Sequence, residues 1–420
     1  MSTRIVFLIV VLLAMDTYVF KGLKSIFSKS NFHLFILITY VLGVFLMYVG
    51  LFSMINTFKL RPVQMSLYQN LLIGFAFSFF LFKLLLTAFL ILDDFIRIVM
   101  YLFESFSKIF FKATTEVVLS ERRDFLIKLG LGVASIPFAS MLYGITKGKY
   151  NYKVQNLRLQ FSNLPKAFEG FRIVHISDIH AGSFDSLEQV KRGVDLINAQ
   201  NPDVVCFTGD LVNNDAREIE PYIDVFKGLQ SKQGVYSVLG NHDYGDYKNW
   251  PSKKAKQENL KLLESLQEQM NFRLLKNEHI RLHKDSDEIA VLGVENWGKP
   301  PFVAHGDLDK TLVGVEEKSF KILLSHDPSH WDEKVLPHQT NIDLTLSGHT
   351  HGMQFGIDIP GFRWSPVKYK YPRWAGLYQE AKKFLYVNKG FGFLGFPGRV
   401  GIWPEITVIE LENSKQATRY

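Results

Sequence analysis

Five short polar clusters interrupt the apolar runs of this chain, and each is made of residues that bind metals or move protons. They are Asp178 with His180 in "SDIH", Gly209-Asp210 in "TGD", Asn241-His242-Asp243 in "GNHD", His326-Asp327 in "SHD", and His349 with His351 in "GHTHG". Carboxylate, imidazole and amide-oxygen donors suit a divalent cation, and a cation that polarises water suits hydrolysis. A lone H-x-H is a weak signal, and any one of these histidines taken alone reads as structural. What gives them weight is the sequence in front of each.

Every cluster follows a short apolar run of strand character. "FRIVHIS" leads into Asp178 and His180, "DVVCFT" into Asp210, "GVYSVLG" into Asn241, His242 and Asp243, "FKILLS" into His326, and "IDLTLSG" into His349 and His351. Between them lie helical stretches: the amphipathic "SLEQVKRGVDLINAQ", the segment "EIEPYIDVFKGLQ" and a charged helix over 253–269. Further strands are expected near 272–276, 279–283 and 289–294, and at "KFLYVN" and "EITVIELE". Such alternation predicts an α/β domain with parallel pairing, helices on the faces and a strand-rich second half. In open α/β sheets the ligand site lies beyond the carboxyl ends of the strands. Five strand ends therefore deliver their polar residues to one rim. The D-x-H and H-x-H spacings help, because residues two apart on an extended segment project to the same side.

In this order and spacing, D-x-H, G-D, G-N-H-D, H and G-H-T-H closely resemble the calcineurin-like metallophosphoesterases, over roughly residues 168–412. Within that superfamily, "SDIH" and "GHTHGxQ" look most like the bacterial membrane-anchored phosphodiesterases. That branch includes exported cell-envelope enzymes and UDP-2,3-diacylglucosamine hydrolases. The resemblance implies a two-sheet αβ-sandwich and two divalent metal ions, manganese, iron or zinc. It implies that Asp210 bridges them, that Asp178, His180 and His351 complete one site, and that Asn241, His326 and His349 complete the other. Two such ions stabilise the attacking and leaving oxygens of an in-line displacement at phosphorus. His242 would be the family's non-ligand histidine, stabilising the transition state or protonating the leaving oxygen. Asp243 would orient His242 or the neighbouring backbone.

Arg399 in "PGRVGIWPEI" falls in the turn before the last strand, where the family often places an arginine near the mouth. That implies a contact with substrate phosphate, against the plainer reading of a solvated loop arginine. Phe391, Phe393 and Phe396 could touch an acyl chain, though an ordinary packed loop is the simpler expectation. His175 lies inside its strand and reads as core or as support for a ligand. His33, His279, His283, His305, His330 and His338 stand outside the motifs and read as surface or structural. Met353 occupies a position where relatives commonly carry a second glycine.

The amino-terminal third is of another kind. Residues 34–58 carry no charge, 62–92 carry only Lys83, and 129–146 are shorter but still apolar. At ~1.5 Å per residue these can cross a bilayer. Residues 5–20 form a fourth, less secure span containing Asp16. Arg97, Glu104 and Lys108 share one face of an aromatic stretch near 93–112, which predicts an interfacial helix or one packed on the spans. The domains are thus an all-α transmembrane region over 1–147 and a catalytic domain over 148–420. Nine Lys and Arg residues in the first and third loops, against three at the amino terminus and in the second loop, predict those two loops inside. With four spans, the catalytic domain then faces outward, on the periplasmic side of a bacterial inner membrane.

"SERRDFLIKLG" resembles a twin-arginine export signal, which would make the twin-arginine translocase a partner; an ordinary positive-inside anchor explains it equally. The net charge of +7 comes with no basic stretch interleaved with aromatics, so nucleic acid is not an expected partner. The single cysteine, Cys206, excludes an internal disulfide and a thiolate-rich zinc site, and reads as a buried strand residue. The expected activity is hydrolysis of a phosphodiester or phosphoanhydride on a lipid or envelope substrate, such as UDP-2,3-diacylglucosamine in lipid A biosynthesis. An exported phosphodiesterase acting on envelope phosphates is the nearest alternative, and a non-catalytic membrane receptor or scaffold the next. A transport path is disfavoured because the spans offer no obvious pair of intramembrane charges beyond Asp16 and Lys83.

Overall fold

A computed structural model describes residues 3–60, 63–111 and 120–414. The chain divides into two compact units, one of Met1–Arg61 with Tyr68–Ile145, the other of Pro62–Leu67 with Thr146–Tyr420.

The first unit consists of α1 (Thr3–Ile26), α2 (His33–Leu60), α3 (Leu67–Phe111) and α4 (Ser120–Thr146). Three segments, His33–Thr57, Leu67–Phe110 and Arg123–Thr146, are long and apolar enough to cross a membrane. Several of the first side chains of α1 lie outside the described residues, as do those of Arg4, Lys59, Arg61, Lys112 and Arg122, which enter the charge count above. The stretch near 93–112 is not a separate helix. It continues α3, because its charges satisfy one another along the helix: Arg97 pairs with Asp93 at i,i+4 and with Asp94 at i,i+3. At 45 residues α3 runs ~67 Å, about twice the hydrocarbon thickness.

Asp16 and Lys83, the two charges within the apolar spans, do meet. Lys83, fully buried, forms an ion pair with Asp16, which also accepts a hydrogen bond from Tyr48 Oη at 2.7 Å. Tyr40 Oη donates to the Asp16 carbonyl at 3.1 Å.

The second unit contains strands β1 (Lys153–Phe161), β2 (Phe171–Ile176), β3 (Val204–Phe207), β4 (Val235–Ser237) and β5 (Phe272–Leu274). Next come β6 (Glu278–Lys284), β7 (Asp287–Gly293), β8 (Lys321–Leu324), β9 (Leu344–Ser347) and the short β10 (Ile357–Ile359) and β11 (Phe362–Trp364). The last are β12 (Gly376–Glu380), β13 (Lys383–Val387) and β14 (Glu405–Asn413). One six-stranded sheet has the order β1-β14-β2-β3-β4-β5 and the other β12-β13-β9-β8-β7-β6. β2 to β5 pair parallel, as do β7, β8, β9 and β13.

Period-two alternation builds the layers. Ile173, Val204, Cys206, Ile322, Leu344 and Leu346 point into the core between the sheets. Their neighbours Val174, Val205 and Phe207 face the opposite way, onto Val190, Val194 and Ile197 of α5 (Leu187–Asn198). Strands buried on both faces read as continuous apolar runs, as these do. Cys206 is a core residue, its thiol pushed up to about 12 by burial. α5 starts where Ser186 accepts from the Gln189 amide, and the charged 253–269 helix starts where Ser252 accepts from that of Ala255.

Candidate metal centre

All five strand ends meet at one edge of the sandwich. β2, β3 and β4 of one sheet lead into Asp178 and His180, Asp210, and Asn241 to Asp243. β8 and β9 of the other lead into His326, His349 and His351. The backbone there is bent to aim side chains inward. Asp178, His180, Asp210, His349 and His351 all hold positive φ, between 49° and 71°. Non-glycine residues in that region cost of order 1–3 kcal/mol each and cluster where function requires them. The motif glycines serve close approach. A Cβ on Gly348 would sit 2.3 Å from the Asp178 carboxylate, and one on Gly240 2.2 Å from that of Asp210.

Two groups of potential ligands result, Asp178 with His180 and His351, and Asp210 with His326 and His349. In the first, His180 Nε2 lies 3.0 Å from His351 Nε2, and Asp178 Oδ1 3.2 Å from the same atom. In the second, His349 Nδ1 lies 3.2 Å from His326 Nε2, and Asn241 Oδ1 lies 2.8 Å and 3.2 Å from these two nitrogens. Asp210 Oδ2 reaches both groups, 3.2 Å from His326 Nε2 and 3.5 Å from His180 Nε2.

The donor set fits a pair of divalent cations. Imidazole nitrogens and an amide oxygen crowd together at 2.8–3.2 Å, contacts that call for a proton or a metal cation between each pair. Asp178 and Asp210 are buried, and among the described residues neither forms an ion pair with lysine or arginine. Burial alone would raise both carboxyls. The surrounding imidazoles, His351 at Asp178 and His326 at Asp210, outweigh it and hold both below the usual carboxylate range. Burial lowers His180 and His349, keeping them neutral as ligands must be. At His326 burial is overcome by Asp210, which raises it to about 10. Its Nδ1 donates to the Thr208 carbonyl at 2.7 Å, which leaves Nε2 facing the cluster.

His242 sits beside the first group, its ring edge-on to that of His180 at 4.9 Å. Its Nδ1 lies 2.8 Å from the Asn213 carbonyl, which fixes the proton there and leaves Nε2 for a reacting group. Asp243 addresses the backbone, not His242. It accepts from the amides of Asp210, Leu211, Val212 and Gly240, and burial, then the charge of Asp210, pushes it up to about 7.

Arg399 does not reach the mouth. It is fully buried, and its guanidinium donates to the carbonyls of Lys389, Gly390 and Gly392, with Nη2 3.2 Å from His351 Nδ1. Its donors are consumed inside the domain, and it backs the His351 ring where a phosphate contact was expected. Phe391 and Phe393 are buried in the helix-side core. His175 is core, with Nε2 2.9 Å from Thr208 Oγ1. Three contacts were not foreseen. Tyr371 Oη lies 2.8 Å from His349 Nε2, Asp327 Oδ2 3.5 Å from the same nitrogen, and Tyr247 Oη accepts from Asn241 Nδ2 at 2.9 Å. The tyrosines come from loops and carry no motif; Asp327 stood in view beside His326.

Fold and site together define a calcineurin-like phosphoesterase domain joined to a transmembrane domain. Residues 171–353 match the family model "Calcineurin-like phosphoesterase", and residues 3–149 match "Probable Calcineurin-like phosphoesterase, transmembrane domain". The membrane third, which the motifs do not reach, thus has a family of its own. The chain is similar along much of its length to transmembrane metallophosphoesterases. It is similar to "Transmembrane protein with metallophosphoesterase domain" of Danio rerio, 30% identical over 283 residues, 65% of this chain and 60% of that protein. The Bos taurus protein of the same name is 30% identical over 307 residues, 70% of this chain and 64% of that one. "Uncharacterized metallophosphoesterase YkuE" of Bacillus subtilis (strain 168) is 29% identical over 259 residues, 61% of this chain and 84% of that one. This chain therefore spans less than two thirds of either vertebrate protein.

Proposed function

We propose that the chain is a membrane-anchored, binuclear-metal hydrolase of a phosphodiester or phosphoanhydride, with a transmembrane region over 1–147 and a catalytic domain over 148–420. The observation that carries this reading is the pair of ligand groups sharing Asp210. Asp178, His180 and His351 would hold one ion, Asn241, His326 and His349 the other, and Asp210 both. Bound there, two divalent ions supply Lewis acidity toward phosphorus and an acidified water. His242 then offers Nε2 to the leaving oxygen, held in place by the Asn213 carbonyl. Asp243 fixes the loop that presents Asp210, and Tyr371 and Asp327 fix His349. The all-nitrogen-and-oxygen ligand set suits manganese, iron or zinc, with manganese the first to supply.

The substrate class is a phosphoester presented at a membrane, because anchoring raises the effective concentration of lipid-linked substrates. UDP-2,3-diacylglucosamine is one compound to assay beside a simple aryl phosphodiester. Similarity to vertebrate as well as bacterial proteins favours the broader class over one confined to lipid A. The basic-residue bias favours an outward-facing catalytic domain in a bacterial inner membrane. There the reading becomes an exported phosphodiesterase of envelope phosphates, with export by the twin-arginine translocase or by ordinary insertion. Labelling of Ser286→Cys in intact cells by an impermeant reagent is the expected result; labelling only after lysis would refute the orientation. For the chemistry, Asp210→Asn should lower turnover of an aryl phosphodiester by ~1000-fold, with expression unchanged. Near-normal turnover in that variant would end the two-metal reading.

A further inference from the structure

Away from the candidate metal centre, the β10–β11 hairpin forms its own two-stranded sheet among the described residues and presents apolar side chains outward. Ile357, Ile359 and Phe362 are 45%, 57% and 54% exposed. Phe355 and Met353 continue this surface back to His351, with Met353 59% exposed. Beside the hairpin lies a cleft of about 630 Å³ whose lining includes Ile359, Phe362, Trp403, Lys153, Arg363 and Lys389. Asp358 pairs with Arg363 at 2.9 Å and with Lys389 at 2.5 Å, and Lys389 is met from behind by Glu405 at 2.9 Å, so the excess positive charge of the cleft rests on Lys153. Lys153 has no ion pair among the described residues.

We infer that this hairpin and cleft form a docking site for an anionic phospholipid surface. Ile359 and Phe362 enter the acyl boundary, and Lys153 and Arg363 meet headgroup phosphate. Three observations select a bilayer as the occupant. The apolar tip is joined to a cationic, tryptophan-bearing cleft, the combination that sits at membrane interfaces. The charge of that cleft complements anionic headgroups. The chain brings lipid within reach, since Lys153 follows Thr146, the last residue of a membrane-spanning segment, by only seven residues, or about 25 Å when extended. Seated this way, the apolar surface through Phe355 and Met353 leads from lipid toward His351.

The site stands apart from the phosphoesterase reading, and its test needs no turnover. Cys206 is fully buried, so single cysteines at Phe362 and, as control, at exposed Ser286 can be labelled selectively with an environment-sensitive fluorophore in the full chain. The labelled protein is reconstituted into phosphatidylglycerol nanodiscs containing nitroxide-bearing lipid. The label at 362 should shift to the blue and lose emission relative to nitroxide-free discs, while the label at 286 should not. Lys153→Glu, or replacement of phosphatidylglycerol by phosphatidylcholine, should weaken that quenching. Equal, unquenched emission at both positions overturns the inference, including the case in which the hairpin instead packs on a second copy of the chain. Quenching undiminished by Lys153→Glu and by neutral lipid overturns the headgroup assignment.

Discussion

Two regions of this molecule bury charge, and they do so in opposite ways. In the helical unit, Lys83 is met by the Asp16 carboxylate, whose remaining lone pairs take Tyr48 and whose own carbonyl takes Tyr40. That cluster is closed, with donors matched to acceptors. In the second unit, Asp178, Asp210 and Asn241 face histidine nitrogens, five of the residues there (Asp178, His180, Asp210, His349 and His351) hold positive φ, and acceptors outnumber donors. That cluster is open and asks for a cation. Buried charge alone therefore does not mark a functional site. A shortage of donors, held in place by strained backbone, does.

The sharpest way to break the contrast is to remove one partner from each region. Lys83→Met leaves Asp16 buried without a cation and should destabilise the helical unit by about 3–5 kcal/mol, while Asp16→Asn with Lys83→Met together should restore most of it. Thermal unfolding in detergent measures both. Equal losses in the single and double variants would mean the pair is not closed. His242→Asn should lower kcat by about a hundredfold with metal content unchanged. Loss of metal in that variant would move His242 into the ligand set. Added manganese should raise the stability of the catalytic unit by ~2.7 kcal/mol at a hundred times its Kd, and Asp210→Asn should abolish that gain. An equal gain in both proteins would place the metal elsewhere.

The smallest effect concerns pH. Burial would raise the Asp215 carboxyl, but Arg217 and Lys248 outweigh it and hold it below the usual range. A depressed folded value contributes stability that is present above the ordinary carboxylate range and lost as pH falls through the folded value. Melting temperature should therefore decline on acidification below about pH 4, and Asp215→Asn should flatten that decline. An unchanged slope would show that the two cations do not stabilise the carboxylate.

Sequence made the open cluster legible because its residues interrupt apolar strands at fixed spacings, and strand ends of parallel sheets share one rim. In the closed cluster Asp16 and Lys83 stood out as charges within apolar spans, but at 67 positions apart with no motif linking them their contact, and the tyrosines that complete it, did not. Continuity of α3 was missed for a related reason. Asp93, Asp94 and Arg97 look like the end of a span, yet they neutralise one another on the helix and let it run on. β1 escaped because "KVQNLRLQF" is a largely exposed edge strand whose partner, β14, comes near the end of the chain. Arg399 was placed at the mouth by its position in the chain. Its burial depends on carbonyls of the 389–392 turn, which no spacing announces.

If the Asp210 carboxylate is shared between two ions, the metal content of the protein must show it. Metal analysis of the purified full chain tests it most directly, run beside His351→Asn and His349→Asn. The expected result is about two divalent ions per chain in the unaltered protein and a lower count in each variant. One ion or none in the unaltered protein, together with undiminished hydrolysis after chelation, would contradict it.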